Sequence, residues 1–287
     1  MGGPKKHHFV PKFLLKPWTY DEKNLWLYLK SNIEVSPRSA SIADVGHEKN
    51  LYTSRGGDKS VETDFFSKID GNASAVFKNI IENEKRKLDH EDKIPLIHFV
   101  NTFHIRSPEL INEIRNFNNS GGKREKVEIK SNLTEKGNAS RKVFEKDPHD
   151  DIPKIIRLFS TIGESTAMSK IYEHEFLKLI SSNMMIYENN SKYDFITSDF
   201  PLRVINLSKE ESFGVELPSL FGMILPLSPK LCLIISNDSD FITEIISFKQ
   251  KEFVKQTNIE TINTANNQIF SKEKTLKEFI KKHLRIA

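Results

Sequence analysis

Cysteine is nearly absent from this 287-residue chain, long apolar runs are missing, and neither sign of charge dominates. The single cysteine, Cys232, cannot close an internal disulfide, and its setting in Leu231-Cys-Leu-Ile-Ile reads as a packed strand rather than a nucleophile's pocket. One thiol in a chain of this size fits a reducing compartment. The N-terminus lacks the apolar stretch of a signal peptide, so a cytoplasmic protein is expected. Charged residues make up 29% of the chain and leave no segment of membrane-spanning size, so no membrane partner is expected. Glycine is sparse at 12 residues, and none of them builds a phosphate-cradling loop or marks an internal repeat. These absences exclude disulfide scaffolds, membrane helices, glycine-loop phosphate sites and solenoids.

What is present is a core. Hydrophobic residues at 37%, including 20 phenylalanines, are too many for a disordered chain. Surface scaling for 33.1 kDa gives roughly 12,500 Å² exposed when folded against about 48,000 Å² unfolded, enough burial for a self-sufficient core. The formal charge of +4 conceals an uneven layout. Residues 1–30 hold six lysines against Asp21 and Glu22, and residues 272–287 hold five lysines and Arg285 against Glu273 and Glu278. Each end is therefore +4, and the body between them is −4. Basic ends of this kind are solvated lysine faces or contacts for nucleic acid or an acidic partner.

Hydropathy spacing predicts an α+β fold with a mostly antiparallel sheet, chiefly residues 183–236, packed by helices from the N-terminal half and the C-terminus. One domain over 1–287 is expected, with a polar, mobile insertion at about 120–151. Leu25-Trp-Leu-Tyr-Leu reads as a strand, Val61 to Ile81 and Ile94 to about Phe117 as helices, and about Ile152 to Ser181 as further helix. Met184 to Tyr187 and Tyr193 to Thr197 read as a hairpin across Asn189-Asn190, followed by strands at 202–207, 221–225 and 231–236. The last segments, about Ser247 to Phe270 and Lys274 to Leu284, read as helices.

Several polar groups stand out against this frame. His7-His8-Phe-Val-Pro11 places two imidazoles on opposite sides of an extended chain, so one of them at most serves a given site. It matches the start of a ββα-metal nuclease motif only superficially, because the downstream Asn and His are missing. Ser198-Asp199-Phe-Pro201 sets a carboxylate at a strand end, where it would serve either a site or a turn. Glu62 and Asp70, eight residues apart, fall on one helical face about 12 Å apart, too far for a tight acid pair unless other elements bring a metal between them. Arg106 in an apolar helical setting needs a carboxylate or phosphate partner, and Asp199 or Glu62 would supply it. Ser228 in Leu225-Pro-Leu-Ser-Pro229 and Asn263 read individually as architectural.

The ordered set of these motifs resembles the bacterial family known as domain of unknown function 4238. It comprises His8-Phe-Val-Pro11 with Phe13-Leu-Leu, Glu62 with Asp70, Arg106-Ser-Pro108, Ile196-Thr-Ser-Asp-Phe-Pro201, Pro226-Leu-Ser-Pro229, and Asn263 before Ile269-Phe-Ser271. The chain departs from the family pattern at Asp70, where glutamate is usual, and at Phe103 and His104, where a glutamine often precedes the arginine. Trp18 stands where a phenylalanine commonly ends the first motif. The resemblance implies a bacterial cytoplasmic protein with relatives among anti-phage defence genes. It also implies that His8, Glu62, Arg106, Asp199 and Asn263 converge on one site.

Two functional expectations follow. In the first, the chain is a defence effector that processes nucleic acid or a nucleotide. His8, Glu62, Arg106 and Asp199 would be catalytic, with a divalent metal held by Asp199 and Glu62, and Ser198, Ser228 and Asn263 would bind substrate. In the second, the polar set is a structural network in a non-catalytic sensor or interaction module that contacts a phage or host protein. Oligomeric state is open in both.

Overall fold

The computed structural model describes residues 5–53, 61–103, 106, 108, 175–208 and 217–285. The expected insertion at 120–151 lies outside these residues. So do the latter part of the helix expected to reach Phe117 and most of the helical stretch expected from Ile152; its end, residues 175–180, is helical.

The α+β architecture is as the spacing predicts, with antiparallel pairing throughout. One four-stranded sheet runs in the order β5 (Asn183–Glu188), β9 (Leu231–Ser236), β8 (Phe221–Pro226), β7 (Arg203–Asn206). Its central strands, Phe-Gly-Met-Ile-Leu-Pro and Leu-Cys-Leu-Ile-Ile-Ser, are buried at every position, which is why they read as continuous apolar runs rather than alternating ones. Cys232 faces this core, and burial pushes its thiol pKa far above the ordinary range, so it packs rather than reacts.

The second four-stranded sheet joins distant parts of the chain. Its order is β3 (Arg38–Ser41), β2 (Asn24–Leu29), β10 (Gln268–Ser271), β6 (Thr197–Ser198). Trp26 pairs with Ser271, and Ile269 with Ser198. Two expectations change here. The hairpin of 184–187 with 193–197 does not form: β5 pairs with β9, and β6 pairs with β10. Asn189 instead donates its side-chain amide to the Tyr193 carbonyl at 2.6 Å, holding a turn that leads away from β5. The C-terminal helix also ends early, because residues 268–271 make ladder bonds to β2 and β6, contacts between remote segments that helical periodicity cannot register.

Besides the helical residues 175–180, the α-helices described are α1 (Lys12–Leu15), α2 (Ser67–Ile81), α3 (His90–Phe103), α4 (Ser239–Ser247), α5 (Gln250–Thr264) and α6 (Lys277–His283). In α2, Ala73, Val76, Phe77 and Ile80 form the buried stripe. Phe77 meets Phe13 and Phe99 at 5.0 and 5.5 Å, fixing α2 against α1 and α3. A π-helical turn, Val61–Phe66, precedes α2, and a short ladder pairs β1 (Lys6–His8) with β4 (His47–Lys49). α6 packs on the second sheet through Ile280, Tyr28 and Ile269. This draws the two basic ends together: Lys277 donates to the Glu34 carbonyl, Lys281 pairs with the Glu34 carboxylate at 2.6 Å, and Lys274 lies over the Trp26 ring at 4.9 Å. Among the described residues no helix is long and apolar enough to cross a membrane.

Candidate functional site

The densest polar constellation forms where α3 ends and the π-helical turn begins. Arg106, just past α3 and 1% exposed, extends its guanidinium over the Phe66 ring at 4.5 Å, with Phe99 and Phe103 at 5.5 and 5.7 Å. A cation so enclosed requires a counter-charge. Asp70 provides it, with 2.9 Å between Arg106 Nη1 and Asp70 Oδ1, and its carboxylate remains 24% exposed. The partner expected was Asp199 or Glu62; the structure supplies Asp70, and Glu62 feels the same guanidinium through its charge.

Glu62 is the unusual member. Burial lifts its carboxyl from the ordinary 4.5 to about 7, with the Arg106 charge opposing the rise and the Asp70 charge adding to it. Its Oε2 is buried without a hydrogen-bond partner among the described residues, as are Arg106 Nε and the Thr53 hydroxyl. The π-helical turn matters here, because widening the first turn carries Glu62 out of the regular α register of α2. A carboxyl that titrates near neutrality beside a cation can exchange a proton with a bound molecule.

Tyr52 ties this cluster to the N-terminal strand. Its hydroxyl donates to the Arg106 carbonyl at 2.7 Å, its ring lies 4.7 Å from Phe66, and its backbone N–H donates to His7 Nδ1 at 2.9 Å. The His7 ring is fully buried and stacks on Tyr52 at 5.5 Å. Of the adjacent histidines it is therefore His7 that joins the Arg106 cluster. His8 points the other way, as alternation in a strand demands, and meets His47 directly across the ladder at 5.3 Å between ring centres. Burial first, then Lys12, His47 and Lys6, bring the His8 pKa down to about 4.

The sequence profile of the family described as Protein of unknown function (DUF4238) matches residues 6–275. The chain belongs to DUF4238. Comparison with curated proteins and with solved structures returned no match.

In this DUF4238 chain the remaining candidates are spent on backbone. Asp199, 6% exposed, accepts from the N–H groups of Asn266, Asn267 and Gln268 at 2.9, 2.8 and 2.7 Å, closing the turn into β10. Ser198 Oγ accepts from Phe200 N–H at 3.1 Å. Ser228 Oγ caps the turn into β9 by accepting from Lys230 and Leu231 N–H at 3.2 and 3.0 Å. Asn263 donates to the Ile259 carbonyl and accepts from Arg285 N–H, at 2.9 and 3.0 Å. Glu62, Asp70 and Arg106 thus come together, whereas His8, Ser198, Asp199, Ser228 and Asn263 each have local partners elsewhere.

A divalent ion held by Asp199 and Glu62 does not fit this arrangement. Asp199's oxygens already accept three backbone N–H groups, whereas Glu62 stands with Arg106 and Asp70. Tyr52 escaped sequence reasoning, because a buried aromatic beside a remote arginine leaves no local pattern.

Proposed function

We propose that this DUF4238 chain is a cytoplasmic effector of bacterial anti-phage defence and that it processes nucleic acid or a nucleotide by acid–base chemistry at Glu62. The observation that carries the reading is the Glu62 carboxyl: half-buried, unbonded at Oε2, held near pKa 7, and adjacent to the Arg106–Asp70 pair. At neutral pH such a group is populated in both states, so it can protonate a leaving oxygen or deprotonate a nucleophile. Arg106 is too enclosed to grip a phosphate with its full fork. Its part is to favour developing negative charge through its field, while Asp70 fixes its orientation.

A groove of about 640 Å³ runs along the same helix that carries Asp70, lined there by Ser74, Phe77, Lys78 and Ile81 and by no residue of the Arg106 cluster. Lys16 and Lys272, one from each basic end, complete its cationic lining. Asp21, Glu22 and Glu82 also line it, and Glu82 lies 3.9 and 4.0 Å from Lys16 and Lys78, so the acids balance the lysines.

The second reading, a non-catalytic sensor or interaction module, is favoured by one specific observation: Ser198, Asp199, Ser228 and Asn263 all serve backbone turns and helix ends. Plating of phage on cells expressing wild type or Glu62→Gln separates the two, with nucleic acid and nucleotide pools followed after infection. The enzyme reading expects wild-type protection with altered pools, and loss of both in folded Glu62→Gln. Protection that survives the substitution supports the module, and unaltered pools during wild-type protection remove nucleic acid and nucleotides as substrates.

A further inference from the structure

A pair of imidazoles outside the Arg106 cluster has the makings of a ligand site. His8 and His47 are directly opposed in the β1–β4 ladder, a register that brings side chains on one face within contact distance. Their rings meet at an interplanar angle of 62° with centres 5.3 Å apart. Two imidazoles bound to one tetrahedral ion at about 2.0–2.1 Å have ring centres roughly 5 Å apart, a separation this pair already has. His8 Nε2 and His47 Nδ1 are each buried and lack a hydrogen-bond partner among the described residues. Two buried ring nitrogens of this kind are costly to leave unmatched.

No hydrogen bond engages His8 Nε2 or His47 Nδ1 among the described residues, so both ring nitrogens are available to an ion. Lys6 and Lys12 lie close enough to oppose a cation, but Lys6 is already paired with Asp44 at 2.6 Å. The site therefore suits a borderline-soft ion that bonds strongly to nitrogen over a hard ion bound mainly by charge.

We propose that His8 and His47 form a two-histidine site for a divalent first-row transition ion, of which Zn²⁺ is the probe, with solvent completing the coordination. The bound ion would clamp β1 to β4 and leave positions open to an exogenous ligand. It is independent of Glu62 and of the acid–base reading.

The test is titration of the full chain, stripped by chelation and dialysis, with Zn²⁺ followed by calorimetry, using wild type, His8→Gln, His47→Gln and, as control, the exposed His90→Gln. One ion per chain with micromolar affinity is expected. Each ligand substitution should weaken binding by at least the 10–100-fold that loss of an outer partner costs, with the control unchanged. Imidazole NMR of the wild type guards against a variant that fails to fold: Zn²⁺ should shift the His8 and His47 rings and leave His7 in place. Binding that is absent, that survives both substitutions, or that perturbs other histidines instead would overturn the proposal.

Discussion

Replacing Glu62 by glutamine should make the protein more stable at high pH and leave it nearly unchanged at low pH. The side chains match in size, so the difference is the charge. In the folded chain the carboxyl holds its proton up to about 7, against an ordinary value of 4.5. The folded state therefore binds the proton more tightly than the unfolded one. Stability from the neutral carboxyl is fully present below 4.5 and is lost as pH rises towards 7, beyond which the ionised form carries the whole penalty. At 1.36 kcal/mol per tenfold change this penalty is at most roughly 3 kcal/mol, and water at the exposed side of Glu62 reduces it to about 1–2 kcal/mol. Urea denaturation at pH 5 and pH 9, with two probes to check that the transition is cooperative, would measure it. Glu62→Gln should raise the midpoint at pH 9 only. An effect of equal size at both pH values, or destabilisation at pH 9, would show that Glu62 is an ordinary surface carboxylate.

Other perturbations follow from the same contacts. Asp70→Asn leaves the enclosed Arg106 without its counter-ion and should cost about 3 kcal/mol, the lower end for a broken buried pair because Asp70 is part-exposed, as read by denaturation at pH 7. Asp199→Ala removes the acceptor for three backbone N–H groups and should cost about 2–4 kcal/mol, with amide exchange accelerated at residues 266–268 before elsewhere. Gly222→Ala would place a Cβ 2.5 Å from the Phe241 ring and should destabilise by about 1–3 kcal/mol, while Gly71→Ala, which meets nothing within 4 Å, should not.

The local patterns were legible and the long-range ones were not. The runs 221–226 and 231–236 announced buried strands because every residue in them is apolar or small. The stripe of α2 was equally plain, being local and periodic. Gln268–Phe270 reads as helix because its strand character comes from partners some 70 and 240 residues away in sequence, at 197–198 and 27–29. Similarly, Arg106 announced its need for a carboxylate, but which one depended on the meeting of the end of α3 with α2. Asp199 presented a motif equally suited to chemistry or to a turn, and only the three backbone donors around it show which use the fold makes of it.

The central claim is that Glu62 exchanges a proton near neutrality because burial and Asp70 outweigh Arg106. Carbon-13 NMR of glutamate carboxyls, assigned by comparison with Glu62→Gln, measures this directly. A Glu62 resonance titrating at about 7, and moving lower in Asp70→Asn as Arg106 loses its competitor, is the predicted result. Titration at the ordinary 4.5, unmoved by that substitution, would contradict it.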